Sequence, residues 1–333
     1  MTKPTIALLG TGILGRAMGE RLLAQGFPLR AWNRTPSKAR ALEPLGAEVA
    51  ATPGEACRGA RAVLTVVADG PALEAVLFGP QGAAGELSPG AVLIQASTVS
   101  PTENQDLARR LSSQGALFLE APVLGSRKEA VSGRLLVMAA GSGAAAKEAA
   151  PVVAALAEKV VYTGPVGSAA VVKLALNQMI ACLMGTLAQA LVMVENWGVP
   201  RETFVEILRP SALWAPMFEK KLGTTLARGN FEDPNFPLRH LLKDLRLVLE
   251  VGRLVSKPLP LAEACERMLE EAEAKGLGDL DYSALYLFLQ RKSLTRKSPS
   301  PGSPGPEPPA GPSSPPSRED PPPERPRGRG RRS

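Results

Sequence analysis

Lys173 and Asn177 are the two residues whose types and spacing most directly suggest chemistry. Residues four apart on a helix lie on one face, so a single helix could present an ammonium and an amide together. An ammonium that faces a cleft can protonate a carbonyl oxygen while hydride reaches the carbon, and burial lowers its pKa toward neutrality. The spacing alone fits an ordinary lysine near a helix start equally well, so Lys173 and Asn177 become catalytic candidates only if other motifs agree.

A glycine-rich turn follows the first apolar run and precedes a helical stretch. The turn reads Gly10, Thr11, Gly12, Ile13, Leu14, Gly15. In such a turn the first glycine permits the tight bend, the second lets the backbone approach a pyrophosphate, and the third lets helix and strand pack closely. The N-terminus of the helix supplies N–H groups and a positive dipole end for the anion. The flanking strand and helix favour a dinucleotide-binding turn over a glycine-rich loop with no ligand. Without them, the glycine motif would be weak evidence for dinucleotide binding.

The residues after the second predicted strand indicate which dinucleotide binds. NAD-binding sites usually carry an Asp or Glu there, whereas this chain has Asn33, Arg34, Thr35, Ser37 and Lys38. A guanidinium and hydroxyl groups suit a 2′-phosphate, so NADP(H) is preferred and NAD(H) remains possible. A solvated basic turn is the alternative interpretation. Val67 and Ala68, at the end of the third predicted strand, are further candidates for cofactor contact.

Short apolar runs alternate with helical stretches up to about residue 163, which is typical of βαβ units and a mainly parallel sheet. The predicted strands are Ile6–Leu9, Leu29–Trp32, Ala62–Val67, Ala91–Gln95, Ala116–Leu119, Leu135–Ala139 and Val160–Tyr162. Beyond them the pattern is helical, with breaks at 198–200, 229–237 and 257–258. The predicted fold is therefore an α/β Rossmann-type doubly wound parallel sheet followed by an all-α domain.

The predicted domains are an NADP-binding Rossmann domain over 1–163, an all-helical substrate and dimerisation domain over 164–290, and a disordered basic, Pro-rich tail over 291–333. Residues 174–194 carry no formal charge and are long enough to span a bilayer. Polar residues within this segment and soluble-looking flanks favour a long, buried interdomain helix instead. No membrane partner is expected.

The charge of the chain is concentrated at one end. Of the net charge of +7, the 43 residues from Arg291 onward carry +6, with ten basic and four acidic side chains. The rest is nearly neutral, which argues against nucleic-acid binding by the core and leaves the tail open. Residues 298–333 contain 13 prolines and almost nothing to bury, so disorder is predicted there.

The cysteines and the N-terminal residues bear on compartment and metal content. Cys57, Cys182 and Cys265 lie far apart in the sequence, and His240 is the only histidine of the chain. Neither a disulfide framework nor a metal site is expected. The N-terminal residues offer no room for a signal or transit peptide, so a cytoplasmic protein is expected.

Four motifs occur in an order that resembles the β-hydroxyacid dehydrogenases, over about residues 4 to 290. They are Gly10–Gly15, Gln95–Thr98, Glu120–Ser126, and Lys173 with Asn177. That family, related to 6-phosphogluconate dehydrogenase, includes 3-hydroxyisobutyrate dehydrogenases, tartronate semialdehyde reductases and glyoxylate/succinic semialdehyde reductases. Residues 126–128 and 236–244 resemble the last branch most, and that branch prefers NADPH.

The resemblance implies a role for each matching residue. Lys173 would be the general acid, supported by Asn177, and Thr98 would lie beside nicotinamide and substrate. Lys243 would reach cofactor or substrate, while Phe236 and Asp244 would close the pocket. The remaining residues expected to bind the carboxylic substrate are Val123, Leu124, Gly125 and Ser126. Leu124 stands where the family commonly has Ser, which implies weaker binding of an acid, or a longer and less polar substrate.

Three hypotheses follow from these residues. The first is an NADPH-dependent reductase of glyoxylate, succinic semialdehyde or similar acids. The second is an NAD-dependent 3-hydroxyisobutyrate-type dehydrogenase. The third is a non-catalytic dinucleotide-binding scaffold whose Arg-rich tail binds nucleic acid or an acidic partner. The family further implies a homodimer or homotetramer. A structural role is expected for His240.

Overall fold

The computed structural model describes residues 3–291. Its strands are β1 (Ile6–Leu9), β2 (Leu29–Trp32), β3 (Glu48–Val49), β4 (Ala62–Thr65), β5 (Val92–Gln95), β6 (Leu117–Glu120), β7 (Val123–Leu124), β8 (Leu135–Gly141) and β9 (Ala157–Gly164). The helices among them are α1 (Ile13–Ala24), α2 (Pro36–Arg40), α3 (Pro53–Cys57), α4 (Gly70–Phe78), α5 (Pro101–Ser112), α6 (Arg127–Ser132) and α7 (Gly143–Leu156). After β9 the chain continues as α8 (Ser168–Asn196), α9 (Arg201–Leu208), α10 (Pro216–Lys221), α11 (Leu238–Leu254), α12 (Pro260–Ala272) and α13 (Leu285–Arg291).

The nine strands found within residues 3–291 form one sheet, in the order β3-β2-β1-β4-β5-β6-β8-β7, with β9 also paired to β8. The first six strands are parallel, and their order reverses direction between β1 and β4. This reversal opens a crevice at the carboxyl ends of β1 and β4, where ligands bind in open α/β sheets. The predicted Rossmann-type sheet is confirmed.

Two details of the sheet differ from the prediction. The strands β3 and β7 were not expected, because two residues are too few to show an alternating pattern. The strand β8 runs antiparallel to β6 and β7, so the sheet is mixed at this edge.

Alternation along each buried strand explains why helices cover both faces. In β1, Ile6 and Leu8 belong to a core with Met18 of α1, whereas Ala7 and Leu9 belong to a core on the opposite face of the sheet. Successive side chains of a strand point to opposite faces, so a strand that is apolar throughout needs cover on both. The helices α1 and α7 supply one layer, and α3, α4 and α5 supply the other.

The helical part is built around the 29-residue helix α8. Its buried residues, among them Leu174, Met184 and Leu191, pack with side chains of α11, α12 and α13. The three predicted breaks fall between α8 and α9, before α11, and between α11 and α12. In the single chain, 39% of the most apolar 18-residue window of α8 is buried, so part of this long helix lies at the surface. By length and composition alone α8 could cross a membrane, with a mean hydropathy of 1.5.

The predicted disordered tail lies outside the described residues, apart from Arg291. The division into domains at residues 163 and 164 stays a prediction.

Candidate active site

The glycine turn between β1 and α1 has two glycines that packing requires and one that faces open space. Gly10 has φ +102°, and a Cβ there would lie 2.3 Å from the Val66 carbonyl oxygen. A Cβ on Gly15 would lie 2.0 Å from the Gly10 carbonyl oxygen, whereas a Cβ on Gly12 would meet nothing within 4 Å. The turn therefore leaves room at Gly12, in front of the first N–H groups of α1, which carry no side-chain cap. A pyrophosphate fits such a place.

Asn33 holds this turn against the end of β2. Its Oδ1 accepts a hydrogen bond from the Thr11 N–H at 3.0 Å, and its Nδ2 donates to the Thr35 carbonyl at 3.1 Å. The Gly10 N–H also donates to the Trp32 carbonyl. Asn33 thus holds the turn in position, and its contact with the cofactor stays a prediction. The Thr11 Oγ1 is buried without a hydrogen-bond partner among the described residues.

The basic residues after β2 are open to solvent. Arg34, Thr35 and Lys38 are all exposed, and neither Arg34 nor Lys38 makes an ion pair within residues 3–291. Nearby, Ile13 is exposed and Leu14 is partly buried. An unpaired guanidinium at the end of β2 suits a phosphate group on the ribose.

The ends of β4 and β5 meet beside the turn. The Val67 N–H donates to the Ser97 Oγ at 2.8 Å, and Ala68 is exposed. Ser97 immediately precedes Thr98, which is partly buried. The predicted contacts Val67, Ala68 and Thr98 therefore come from neighbouring strand ends at one edge of the sheet.

Lys173 lies in the second turn of α8 and is partly buried. Burial lowers the pKa of its ammonium below the usual 10.5, Asp244 opposes this, and Lys243 adds to it. Its Nζ makes no hydrogen bond or ion pair to any part of the chain that the structure describes. An ammonium that is desolvated and unpaired is a strong proton donor.

Asn177, Asp244, Lys243 and Thr98 form a chain of polar contacts beside Lys173. The Asn177 Nδ2 donates to the Asp244 Oδ2 at 2.6 Å, and both side chains are buried. Lys243 Nζ lies 2.7 Å from the other Asp244 carboxylate oxygen and donates to the Thr98 carbonyl at 2.5 Å. The chain joins α8, α11 and the end of β5. The Asn177 Oδ1 remains buried without a partner in residues 3–291, so it can accept a ligand hydrogen bond.

The loop expected to receive a carboxylate lies between β7 and α6. Val123 is buried, Leu124 is exposed, and Gly125 has φ +131°. The Ser126 N–H and Oγ both donate to Glu129 Oε2, at 2.7 and 2.5 Å, and these bonds lower the pKa of Glu129 to about 2. Two of the donors expected to bind substrate are therefore used within the loop.

Two residues in this loop region were missed in the sequence. Glu129 accepts from Ser126, and Lys220 of α10 donates to the Ser126 Oγ at 3.2 Å. The spacing of Ser126 and Glu129, three residues apart, is that of a helix capping pair and could have indicated the first contact. Lys220 and Ser126 are 94 residues apart in the sequence, so no local sequence pattern predicts their contact.

Phe236 lies just before α11, with its ring 5.8 Å from Tyr282 and 6.5 Å from His240. Burial, together with Lys243 and Arg239, lowers the pKa of His240. The structural role expected for His240 stays a prediction. The structure thus links Asn177, Asp244, Lys243 and Thr98 by direct contacts. Lys173 joins this group through the charges of Asp244 and Lys243, whereas Ser126 and Phe236 have separate neighbours.

Sequence reasoning also missed a buried polar group at the ends of β5 and β6. Its members are Gln95, Ser97, Asn104 and Glu120. The sequence does give one indication of this group, because Gln95 and Glu120 are each a polar residue at the end of an apolar strand.

Two family models match the chain. One, described as the NAD binding domain of 6-phosphogluconate dehydrogenase, matches residues 5–164. The other, described as the NAD-binding of NADP-dependent 3-hydroxyisobutyrate dehydrogenase, matches residues 167–289. Together they cover nearly all of the residues that the structure describes.

Two curated relatives and one solved structure agree with these matches. Glyoxylate/succinic semialdehyde reductase 1 of Arabidopsis thaliana is 34% identical over 280 residues, covering 84% of this chain and 96% of the relative. The human cytokine-like nuclear factor N-PAC is 31% identical over 285 residues, covering 86% of this chain and 51% of that protein. A crystal structure of 3-hydroxyisobutyrate dehydrogenase from Salmonella typhimurium superposes with a TM-score of 0.79 at 26% identity, covering 86% of this chain and 99% of the other.

The glycine turn predicts opposite outcomes for two Gly→Ala variants. Gly15→Ala places a methyl group against the Gly10 carbonyl, so it should destabilise the fold by about 1–3 kcal/mol, despite the better helix propensity of Ala. Gly12→Ala should lower the melting temperature less than Gly15→Ala does, because its methyl group enters open space and the cost is only that of Ala at an N-cap. It should weaken dinucleotide binding at least roughly tenfold, because a Cβ blocks the approach of the pyrophosphate. Thermal melts and nucleotide titration by fluorescence measure both; full nucleotide affinity in Gly12→Ala would contradict the assignment.

Proposed function

The chain belongs to the β-hydroxyacid dehydrogenase family of NAD(P)-dependent oxidoreductases, and we propose that it is an NADPH-dependent reductase of small aldehyde acids and 2-oxo acids. Glyoxylate and succinic semialdehyde are the proposed substrates, and hydroxy acids are the products. The observation that supports this proposal most is the Lys173 ammonium, which is desolvated and has no ion-pair partner within the described residues. It lies beside the hydrogen-bonded pair of Asn177 and Asp244. A non-catalytic scaffold has no use for such a proton donor.

The reaction needs a hydride at the carbonyl carbon and a proton at the carbonyl oxygen. When bound, the nicotinamide supplies the hydride. Lys173 holds the proton, and its lowered pKa makes transfer to the developing alkoxide easier than from an ordinary lysine. Asn177 is fixed by Asp244 through its Nδ2, so its unpartnered Oδ1 faces a defined direction and can orient the Lys173 ammonium or a substrate hydroxyl.

Asp244 and Lys243 set the electrostatics of the proton donor in opposite senses. The Asp244 carboxylate favours the ammonium form of Lys173, and the Lys243 ammonium disfavours it. Lys243 is itself held between Asp244 and the Thr98 carbonyl. Lys243 can therefore act on the reaction through the pKa of Lys173 and by holding the Thr98 turn.

Substrate choice is proposed to depend on the loop that carries Leu124. Leu124 is exposed, and the donors of Ser126 are bound to Glu129 in this structure, so few free donors remain for a short acid. Succinic semialdehyde has a longer apolar spacer than glyoxylate and fits an apolar residue here better. The names of the Arabidopsis relatives support both substrates as a starting pair.

NADP(H) is the proposed cofactor, and the exposed, unpaired Arg34 with Thr35 and Lys38 supports it. No carboxylate follows β2 to repel a 2′-phosphate.

A homodimer or homotetramer is proposed as the assembly, in the cytoplasm and without a membrane or nucleic-acid partner for the core. The support is an apolar stripe along α8 and the residue that follows it, formed by Val172, Ala175, Met179, Met193 and Trp197. Met193 and Trp197 are 68% and 82% exposed in the single chain. Side chains at these spacings share one helix face, and a second copy could cover it. Sedimentation velocity should give a mass of at least two chains; a monomer at micromolar concentration would contradict the assembly.

Replacing Lys173 tests the proposed chemistry. The wild type should oxidise NADPH with glyoxylate or succinic semialdehyde, and Lys173→Ala should lower kcat about 10²–10⁴-fold, because the proton donor is gone. The wild-type rate should fall as pH rises through the pKa of Lys173, at a pH below 10.5, and this limb should be missing in the variant. Lys147→Ala, an exposed lysine of α7, is the control and should behave as the wild type. An unchanged kcat in Lys173→Ala would remove this residue from the mechanism.

Replacing Arg34 tests the cofactor. Arg34→Ala should raise the dissociation constant of NADPH about 10–100-fold, the effect of losing a hydrogen bond to a charged group, and change that of NADH by less than about twofold. Arg40→Ala, exposed at the end of α2, serves as the matched control. Equal losses for both nucleotides would show that Arg34 does not bind the 2′-phosphate, and tighter NADH binding by the wild type would favour the 3-hydroxyisobutyrate-type dehydrogenase.

A further inference from the structure

We propose that Glu120, the last residue of β6, is a positioning residue that sets the place and charge state of Lys173 by capping the helix that carries it. The proposal deepens the function proposed above and rests on it where it concerns turnover. Glu120 takes no part in the reaction itself and would act on the reaction through Lys173.

Glu120 is completely buried, and every hydrogen-bond partner of its carboxylate within residues 3–291 is an N–H donor. One carboxylate oxygen accepts from the Gly167 N–H at 2.6 Å; the other accepts from the Ala170 N–H at 2.5 Å and from Asn104 Nδ2 at 2.9 Å. Burial raises the pKa of Glu120, and these donors act against that rise. An ionised carboxylate is an acceptor only, so this environment of donors matches its anionic form.

The start of α8 needs a cap from elsewhere in the chain. The first N–H groups of a helix have no acceptor within the helix, and Asp, Asn, Ser or Thr usually provides one. Here the preceding residue is Gly167, with φ +100° and no side chain to offer. The Ser168 hydroxyl is engaged with the Thr163 hydroxyl at 2.8 Å. Glu120 therefore supplies from β6 what the local sequence lacks.

The cap acts on Lys173 because Lys173 lies close to it along the helix. Lys173 is three residues beyond Ala170, which corresponds to a rise of about 4.5 Å along the axis. The positive end of α8 disfavours an ammonium nearby, and an anion at that end offsets the effect. The charged groups of α11 that also act on Lys173 are Asp244, which favours its protonation, and Lys243, which disfavours it.

Glu120 also reaches the turn that carries Thr98. Asn104, which donates to Glu120, accepts from Gln95 Nε2 at 2.9 Å. Gln95 in turn donates to the Ser97 carbonyl at 3.0 Å and accepts from the Ser97 N–H at 2.5 Å. One buried hydrogen-bond chain thus connects the helix of the proton donor with the residue before Thr98. A shift of Glu120 would move both, and small misplacements of reacting groups are costly to rate.

Glu120→Gln tests the proposal because it keeps the size of the side chain and removes its charge and one acceptor. The direct readout is the pH dependence of Lys173 acetylation by acetic anhydride, followed by mass spectrometry, which needs no turnover. The apparent pKa of Lys173 should move down by roughly half a pH unit, since the helix end is no longer neutralised. In turnover, kcat should fall about 10–100-fold, with the KM for NADPH little changed.

Two further variants separate positioning from general stability. Glu120→Asp keeps the charge on a shorter side chain, so its Lys173 titration should lie nearer the wild type than that of Glu120→Gln. Asp281→Asn changes another buried carboxylate, which accepts the Ser283 N–H at 3.0 Å and pairs with Lys221 far along the chain from α8. It should lower the melting temperature and leave the Lys173 titration unchanged.

An unchanged Lys173 titration in a folded Glu120→Gln protein would overturn the proposal. If that variant does not fold, hydrogen exchange of the wild type decides, because the Gly167 and Ala170 amides have no acceptor within α8. Strong protection supports capping by Glu120, and exchange at the rate of a free amide would refute it. If the wild type turned over neither glyoxylate nor succinic semialdehyde, the proposed function would be refuted. The Lys173 titration and the hydrogen exchange of the Gly167 and Ala170 amides could still be measured and would still test the role of Glu120.

Discussion

The proposed site depends on one lysine ammonium whose charge is penalised by partial removal from water. Burial alone would favour the neutral amine, and Lys243 adds to that tendency. Asp244 acts in the opposite sense, and the proposed cap by Glu120 offsets the positive end of α8. A proton donor is most useful when its pKa is lowered but still above the working pH, so these opposing effects have to be balanced by geometry.

The fold meets this demand by bringing strand ends and one long helix together. The carboxyl ends of β1, β4, β5 and β6 supply the glycine turn, Val67, Thr98 and Glu120 in order across the sheet. The helix α8 starts at the end of β6, bound by Glu120, and continues into the helical part, where Asn177 meets Asp244 of α11. Hydrogen bonds thereby join the strand ends proposed to hold the nucleotide with the helix that carries the proposed proton donor.

Much of this was predictable from the sequence, where the cause is local. The glycine turn, the principal strands and the breaks around α9 and α11 follow from residue types that act over a few neighbours. The two-residue strands β3 and β7 lack a pattern long enough to detect. The exposed stripe on α8 could not be predicted for a different reason. The segment is uncharged on every side, so its sequence does not show which face packs against the protein.

The contacts that set the chemistry join residues far apart and were harder to foresee. Glu120 binds amides 47 and 50 residues later, and Asn177 meets Asp244 across 67 residues. Sequence alone marks such groups only as polar residues in apolar surroundings. For Ser126, local pairing with Glu129 competes with the ligand role that family resemblance implies.

A crystal structure of the ternary complex, with the oxidised nucleotide and the hydroxy-acid product, tests most directly whether Lys173 is the proton donor. The Lys173 Nζ should lie within about 2.6–3.2 Å of the product hydroxyl oxygen, or reach it through one water. A nitrogen that points away from this oxygen, with no water between them, would contradict the central claim.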